Sequence, residues 1–397
     1  MALLEFGQDA YRWWSFGDTE QQGAGMRGPR KHGRDTRGWL PWAALGAALV
    51  VGGVIGGVIV AATKSSASPP ASTTSNSAGS AQVSACNVVS VADQVMPSVV
   101  TISASGRGGG GGTGSGEIIR SDGYILTNNH VIAIAANGGS VQVLFADGQT
   151  APATITGRDP LTDLAVIKTE TAPKLPVIAM GTSSTVKVGE ATVVLGAPLG
   201  LSGTVTSGIV SALDRSVQVP ADNDTTALLV GAIQTDASIN PGNSGGAMVN
   251  CAGQLIGVPS AGATVPSPSG ESSGGSIGLG FAIPVDLAKT ISDEIIATGS
   301  VTHAYFGLAT APIPPAAAAE GGVPQGLFVQ NVVPGGPAAQ AGLREGDVIT
   351  KINGEAAAST VQLQELTITK KPGETVELEY WRNGQTATAT VTLGTQP

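Results

Sequence analysis

The segment TDASINPGNSGGAMVN, Thr235–Asn250, sets a serine in a bend made of Pro241, Gly242, Gly245 and Gly246. Glycines lack Cβ and permit a tight turn in which backbone N–H groups converge beside the Ser244 hydroxyl. A serine hydroxyl is a poor nucleophile until a base takes its proton, and an imidazole base needs a carboxylate to fix its tautomer. The chain has three histidines. His32 lies in a basic tail, and His303 reads as a surface residue of a linker. His130 directly follows the strand-like run YILTNN. Between His130 and Ser244, Asp163 in DPLTDLAV (159–166) immediately precedes an apolar strand and is the best-placed carboxylate. Asp147 belongs to a turn, Asp214, Asp222 and Asp224 stand in polar stretches, and Asp236 reads as a brace near the serine. TNNHV, TDLAV and NPGNSGG are each weak signals alone; together, in this order, they are specific.

Outward from these motifs, the chain alternates short apolar runs with turn pairs. SVVTIS, YILTNN, VQVLF, LAVIK, ATVVLG and GIVSAL are β-branched and of strand length, separated by turns such as Asp122-Gly123 and Asp147-Gly148. With 57 glycines, 24 prolines and 12% charged residues, a mainly β protein is expected. One helix is predicted in PVDLAKTISDEIIATG, with Leu287, Ile291 and Ile295 on one face and Gly299 ending it. Beyond it lies a compact α+β module. GLFVQNVV reads as a strand and PAAQAGL as a short helix with Pro337 near its start. Asn353-Gly354 and Asn383-Gly384 mark hairpins, and Ser359 to Gln362 fits a capping box. APIPPAAAAEGG is expected to be a loop.

The N-terminal part has a different character. Arg27, Arg30, Lys31, Arg34 and Arg37 precede an uncharged run whose core, residues 39–62, supplies 24 residues. That length crosses a hydrocarbon layer of roughly 30 Å as a helix. Trp39 and Trp42 mark the basic end, and the charge asymmetry puts the N-terminus in the cytoplasm. A cleaved signal peptide would have a shorter apolar run and a basic stretch nearer the start. VSAC ending at Cys86 superficially matches a lipoprotein cleavage site but lies too far past the apolar run. The expected plan is a disordered cytoplasmic tail (1–38), a transmembrane helix (39–62), a Ser/Pro-rich tether (63–87), a β domain (88–299) and the α+β module (300–397).

The net charge is −9; the first 64 residues hold seven Lys/Arg against five Asp/Glu, so the remainder carries about −11. Nucleic acid is excluded as a partner, because phosphate neutralisation needs clustered Lys and Arg. Cys86 and Cys251 are the only cysteines, and this topology places both in an oxidising space, where a disulfide between them is expected. Cysteines and histidines are too few and too scattered for a metal site.

These motifs, with VTSGIVSAL and GFAIP, resemble the HtrA/DegP family of trypsin-like serine proteases with C-terminal PDZ domains, over about three quarters of the chain, Val88–Leu393. The resemblance implies two packed six-stranded β-barrels with the site between them, followed by a PDZ domain. It makes His130 the general base, Asp163 its orienting carboxylate and Ser244 the nucleophile. The N–H groups of Gly242 and Ser244 would form the oxyanion hole. Asn243 replaces the aspartate with which digestive relatives capture a new N-terminus, so that zymogen switch is absent. Ser238, six residues before the nucleophile, takes the place of a tryptic acid in the S1 pocket, and a small apolar residue is the expected preference. The stretch AGATVPSPSGESSGGS is similar in position to the family's activation loop, and Pro259 departs from the family's usual Asn. Tyr305, Phe306, Gly307 and Leu308 resemble the loop that captures a peptide's terminal carboxylate.

The function implied is an extracytoplasmic, ATP-independent endopeptidase, without cofactor, that degrades misfolded or exposed polypeptides in quality control and stress response. The rival readings are a peptide-binding chaperone or scaffold, and a signalling protease cutting one membrane-bound regulator. The family commonly forms homo-trimers through aromatic contacts near the start of the protease domain, yet residues 81–123 contain no aromatic residue.

Overall fold

The computed structural model describes residues 86–170, 174–197, 203–221, 225–262 and 276–397. The expected tail, the span 39–62, the tether up to residue 85 and residues 263–275 of the Ser/Gly/Pro stretch lie outside them. Among the described residues no helix is long and apolar enough to cross a membrane.

Six strands form a closed barrel in the order β1-β2-β3-β6-β5-β4: β1 Val99–Ser105, β2 Gly111–Ile118, β3 Tyr124–Asn128, β4 Ser140–Leu144, β5 Thr150–Asp159 and β6 Leu164–Thr169. Alternation sends Ile102, Ile118, Ile125, Val143 and Ile167 into one apolar interior. Gly116 sits on that inner face because a Cβ there would fall 2.7 Å from Ile125 and 2.8 Å from Ile102.

A second sheet runs in the order β11-β8-β9-β10-β13-β12-β7. Its strands are β7 Ala179–Met180, β8 Ala191–Gly196, β9 Thr204–Pro220, β10 Thr226–Thr235, β11 Ala247–Val249, β12 Gln254–Gly262 and β13 Gly280–Pro284. β11 also pairs with β12, so six of the seven strands close on themselves, and β7 joins β12 in parallel as an addition to the six expected. The helix predicted after β13 spans Val285–Thr298 and buries Val285, Ala288, Ile291 and Ile295; it ends at Gly299, whose φ is 83°. A shorter helix, Val88–Val95, opens the described chain behind an N-cap on Asn87. Cys86 and Cys251 are disulfide-bonded, with Cα atoms 5.2 Å apart.

The C-terminal module is built on β15 Leu308–Pro312, β16 Leu327–Val332, β17 Val348–Ile352, β19 Thr375–Arg382 and β20 Gln385–Thr392, in that order. β18 Glu355–Ala356 pairs with β17, and β14 Ala304–Tyr305 pairs with β21 Gly394–Thr395 near the chain's end. Both Asn-Gly hairpins carry positive φ at both residues, as type I′ turns require: 50° and 84° at Asn353-Gly354, 50° and 83° at Asn383-Gly384. The capping box at Ser359 and Gln362 opens the helix Thr360–Thr369. Where a loop is expected, residues Pro315–Gly321 form a helix, because the alanine run follows a proline at N1 and Gly322 supplies a left-handed cap at φ 62°. Asp347 is buried and takes a bidentate ion pair from Arg382 at 2.6 and 2.7 Å. That carboxylate holds the guanidinium above its ordinary range.

Candidate active site

His130 stands on the short helix Asn129–Ile132 that leaves β3. Its Nδ1 lies 2.8 Å from Asp163 Oδ2 and 3.0 Å from Oδ1, and its backbone N–H donates to Oδ1 at 3.0 Å. Asp163 is 1% exposed and has φ 59°, a left-handed backbone that aspartate tolerates better than most residues. That turn aims the carboxylate back at the histidine, while the Asp163 carbonyl accepts from Asn129 N–H (3.0 Å) and Asn128 Nδ2 (2.9 Å). Both ends of Asp163 therefore grip the TNNH segment. The two asparagines, unremarked in the sequence, have a positioning role that their repeat beside the histidine could have signalled.

Sequence reasoning also misses Ser260. Its buried hydroxyl donates to Asp163 Oδ2 at 2.5 Å, and its carbonyl accepts the Ser244 hydroxyl at 3.3 Å. Among the described residues Ser244 makes no hydrogen bond to His130; bonds of this kind commonly close only in the complex with substrate. Beside the imidazole opens a cleft of about 460 Å³ lined by His130, Asp163, Val217, Val219, Ser260 and Phe281.

The turn Asn240–Gly246 is pinned along its length. Asn243 N–H donates to the Asn240 carbonyl (3.0 Å), Gly245 N–H to Pro259 (2.9 Å) and Gly246 N–H to Asn243 (3.0 Å). Gly242 has φ 101°, which disfavours any side chain. Within the described residues, neither the Gly242 nor the Ser244 N–H donates a hydrogen bond. Asp236 braces β9 by accepting from Ile209 N–H at 2.7 Å. Ser238 is exposed, and its carbonyl accepts from Thr206 and Asn243. Next to it, Ile239 is 4% exposed and packs in the core of the second sheet; a Cβ on Gly280 would fall 2.6 Å from its side chain and one on Gly262 2.8 Å from its carbonyl oxygen.

His303 departs from the expected surface position. It is 7% exposed, with Nε2 2.8 Å from Asp159 Oδ1. Asp159 is itself buried, and a carboxylate removed from water needs such a partner. In the C-terminal module a groove of about 360 Å³ lies between β15 and the helix Thr360–Thr369, lined by Tyr305, Phe306, Gly307, Leu308, Leu363 and Thr367. Phe306 is also part of the module's core, so packing and groove share one side chain.

The pattern of the trypsin-like peptidase domain matches residues 114–258, and that of the PDZ domain residues 301–393. The chain is 42% identical to the serine protease PepD of Mycobacterium tuberculosis over 325 residues, 80% of this chain and 68% of that protein. It is 40% identical to a probable periplasmic serine endoprotease, DegP-like, of Halomonas elongata, over 71% of this chain and 56% of the relative. The chain thus spans little more than half the length of the DegP-like relatives it matches. Among solved structures, the HtrA-type protease AlgW with a decapeptide superposes with TM-score 0.63 at 32% identity, covering 78% of this chain and 99% of that one. A serine endoprotease from Yersinia pestis superposes with TM-score 0.58 at 33% identity, covering 78% of this chain and 98% of that one. The chain belongs to the HtrA/DegP family of serine proteases, with a trypsin-like peptidase domain followed by a PDZ domain.

Proposed function

We propose that this protease is an extracytoplasmic, ATP-independent endopeptidase that cuts misfolded or otherwise exposed polypeptides. Ser244 attacks the scissile carbonyl, His130 takes and returns the proton, and Asp163 holds the imidazole tautomer and stabilises the imidazolium. The N–H groups of Gly242 and Ser244 receive the oxyanion, a contribution of about 3 to 4 kcal/mol per donor in related chemistry. The observation that carries this reading is the pinned turn Asn240–Gly246, in which the Gly242 and Ser244 amides donate to no other described residue.

The S1 pocket is placed beside Ser238, where Ile239 sets its carbonyl against Gly262 and its side chain against Gly280. A small apolar residue such as Val or Ala suits it, and the uncharged Ser238 offers nothing to Arg or Lys. In the PDZ domain, the Phe306 and Gly307 N–H groups are not spent on other described residues and suit a peptide's terminal carboxylate. A bound chain end would add as a strand beside β15. The decapeptide in the AlgW structure and the periplasmic relatives agree with peptide ligands and an extracytoplasmic setting. Residues 39–62 serve as the anchor, and a homo-trimer is the family's usual assembly.

The test is cleavage of unfolded casein by the full-length chain in detergent. Ser244→Ala abolishes it if the assignment holds. Casein turnover by Ser244→Ala at the wild-type rate refutes it, and binding without turnover by the wild type favours the chaperone or scaffold reading.

A further inference from the structure

Ser115 lies on β2, in the first barrel, at a position with no assigned part in the chemistry. It is fully buried. Its neighbours along the strand, Gly114 and Gly116, face the barrel interior, so Ser115 faces the other barrel and the nucleophile turn. Three hydrogen bonds leave it in that direction. The hydroxyl donates to the Gly242 carbonyl at 2.6 Å and accepts from the Ala197 N–H at 2.8 Å. The backbone N–H donates to the Ser244 carbonyl at 2.9 Å. One residue therefore holds the carbonyl oxygens of both residues whose amides are left for the oxyanion.

We propose that Ser115 is a positioning residue for the hydrolytic reaction, fixing the two oxyanion amides through the carbonyls of Gly242 and Ser244. The reason lies in the peptide unit Gly242–Asn243. Its N–H end is held by Asn240 at 3.0 Å and its C=O end by Ser115 at 2.6 Å, so the plane cannot rotate. Gly242 has no Cβ and is otherwise free over a wide range of φ and ψ. Gripping the following peptide fixes one side of Gly242, so its φ and ψ can change only by displacing the preceding peptide, which carries the Gly242 N–H. The Ala197 N–H orients the hydroxyl by occupying its acceptor side, which leaves the single proton for Gly242. Oxyanion stabilisation requires donors already aimed at the position the oxygen will occupy, so loss of this grip lowers the rate of the chemical step and leaves ground-state binding intact.

The inference rests on the oxyanion role of Gly242 and Ser244, and the experiment separates the two. Full-length wild type, Ser115→Ala and Ser98→Ala are compared in detergent on one fluorogenic peptide and with a peptidyl boronate of the same sequence, a tetrahedral mimic. Ser98 is the control, because its buried hydroxyl donates only to the Val95 carbonyl, at 2.7 Å. Expected for Ser115→Ala is a kcat lower by about 10- to 100-fold, the scale of a weakened oxyanion donor. KM should stay within about twofold and boronate affinity should fall with kcat. If Ser115→Ala does not fold, Ser115→Cys keeps the volume with a weaker donor, and the same split between kcat and KM is read from it. A variant whose kcat and boronate affinity match wild type, or whose loss is equalled by Ser98→Ala at the same loss of Tm, overturns the role of Ser115 alone. A wild type that binds the boronate no more tightly than the corresponding peptide amide overturns the oxyanion reading and this inference with it.

Discussion

His303 and Asp159 form a buried pair, Nε2 to Oδ1 at 2.8 Å, that ties the chain entering the PDZ domain to the loop carrying Asp163. Asp159 Oδ2 also accepts the Thr162 hydroxyl at 2.6 Å, one residue before Asp163, and the His303 carbonyl accepts from Gln396 N–H at 3.0 Å. The end of the chain, the start of the PDZ domain and the loop carrying Asp163 thus meet at one residue, His303. Removing one partner strands the other in a dry site. His303→Ala is expected to destabilise the protease by about 3 kcal/mol, and Asp159→Ala/His303→Ala by less than the sum of the single changes. Urea melts of the four proteins measure the cycle; additive losses would show that the pair does not interact.

Ser260 offers a smaller and cleaner effect. Its hydroxyl is a second hydrogen bond to Asp163 Oδ2 beside that of His130, and it adds to the fixing of the carboxylate. Ser260→Ala is expected to lower kcat about tenfold, the equivalent of the roughly 1.5 kcal/mol of a hydrogen bond to a charged group. KM changes little, because the Ser260 carbonyl remains. Steady-state kinetics on a peptide substrate check it.

How much of this was legible beforehand depends on whether a feature is local. The turns at Asn353-Gly354 and Asn383-Gly384 and the capping box at Ser359 are encoded within four residues, and each stands where the sequence puts it. His130, Asp163 and Ser244 could be picked out as candidates because each sits in its own motif, and the structure brings the first two within hydrogen-bond distance. Ser115 and Ser260 could not, since each lies about a hundred residues or more from the residue its hydroxyl bonds and meets it only when the strands pack. His303 was misread for the same reason: its partner is 144 residues earlier in the chain. The helix Pro315–Gly321 was missed because the Pro-rich start of APIPPAAAAEGG suggested a loop, although proline is welcome in a helix's first turn.

The disulfide closes a loop with a sequence separation of 165 residues, joining the residue before the Asn87 N-cap to the turn after β11. Loop-closure entropy for so long a span gives an upper figure of roughly 5 kcal/mol, and native disulfides typically contribute 2 to 5. Reduction with a thiol, or Cys251→Ser, is expected to lower Tm while leaving the His130–Asp163 contact and kcat on short peptides largely unchanged. Calorimetry with and without reductant checks the first expectation. Two free thiols in the untreated protein, by mass spectrometry, would remove the premise.

Glu117, two residues from Ser115 on the same face of β2, is fully buried, and neither carboxyl oxygen has a partner among the described residues. Burial pushes its carboxyl well above the usual carboxylate range, so the folded protein keeps it protonated where the unfolded chain does not. The unfolded value is about 4.3. Between that pH and the folded pKa the native state binds the extra proton, so stability falls as pH rises, by up to about 1.4 kcal/mol per pH unit. It is fully present below the unfolded value and is lost by the time pH passes the folded one. Glu117→Gln keeps the shape and removes the titration. The difference in unfolding free energy between variant and wild type, from urea melts at successive pH values, should therefore grow in favour of the variant as pH rises. A difference independent of pH from 5 to 9 would mean that Glu117 ionises alike in the folded and unfolded chain.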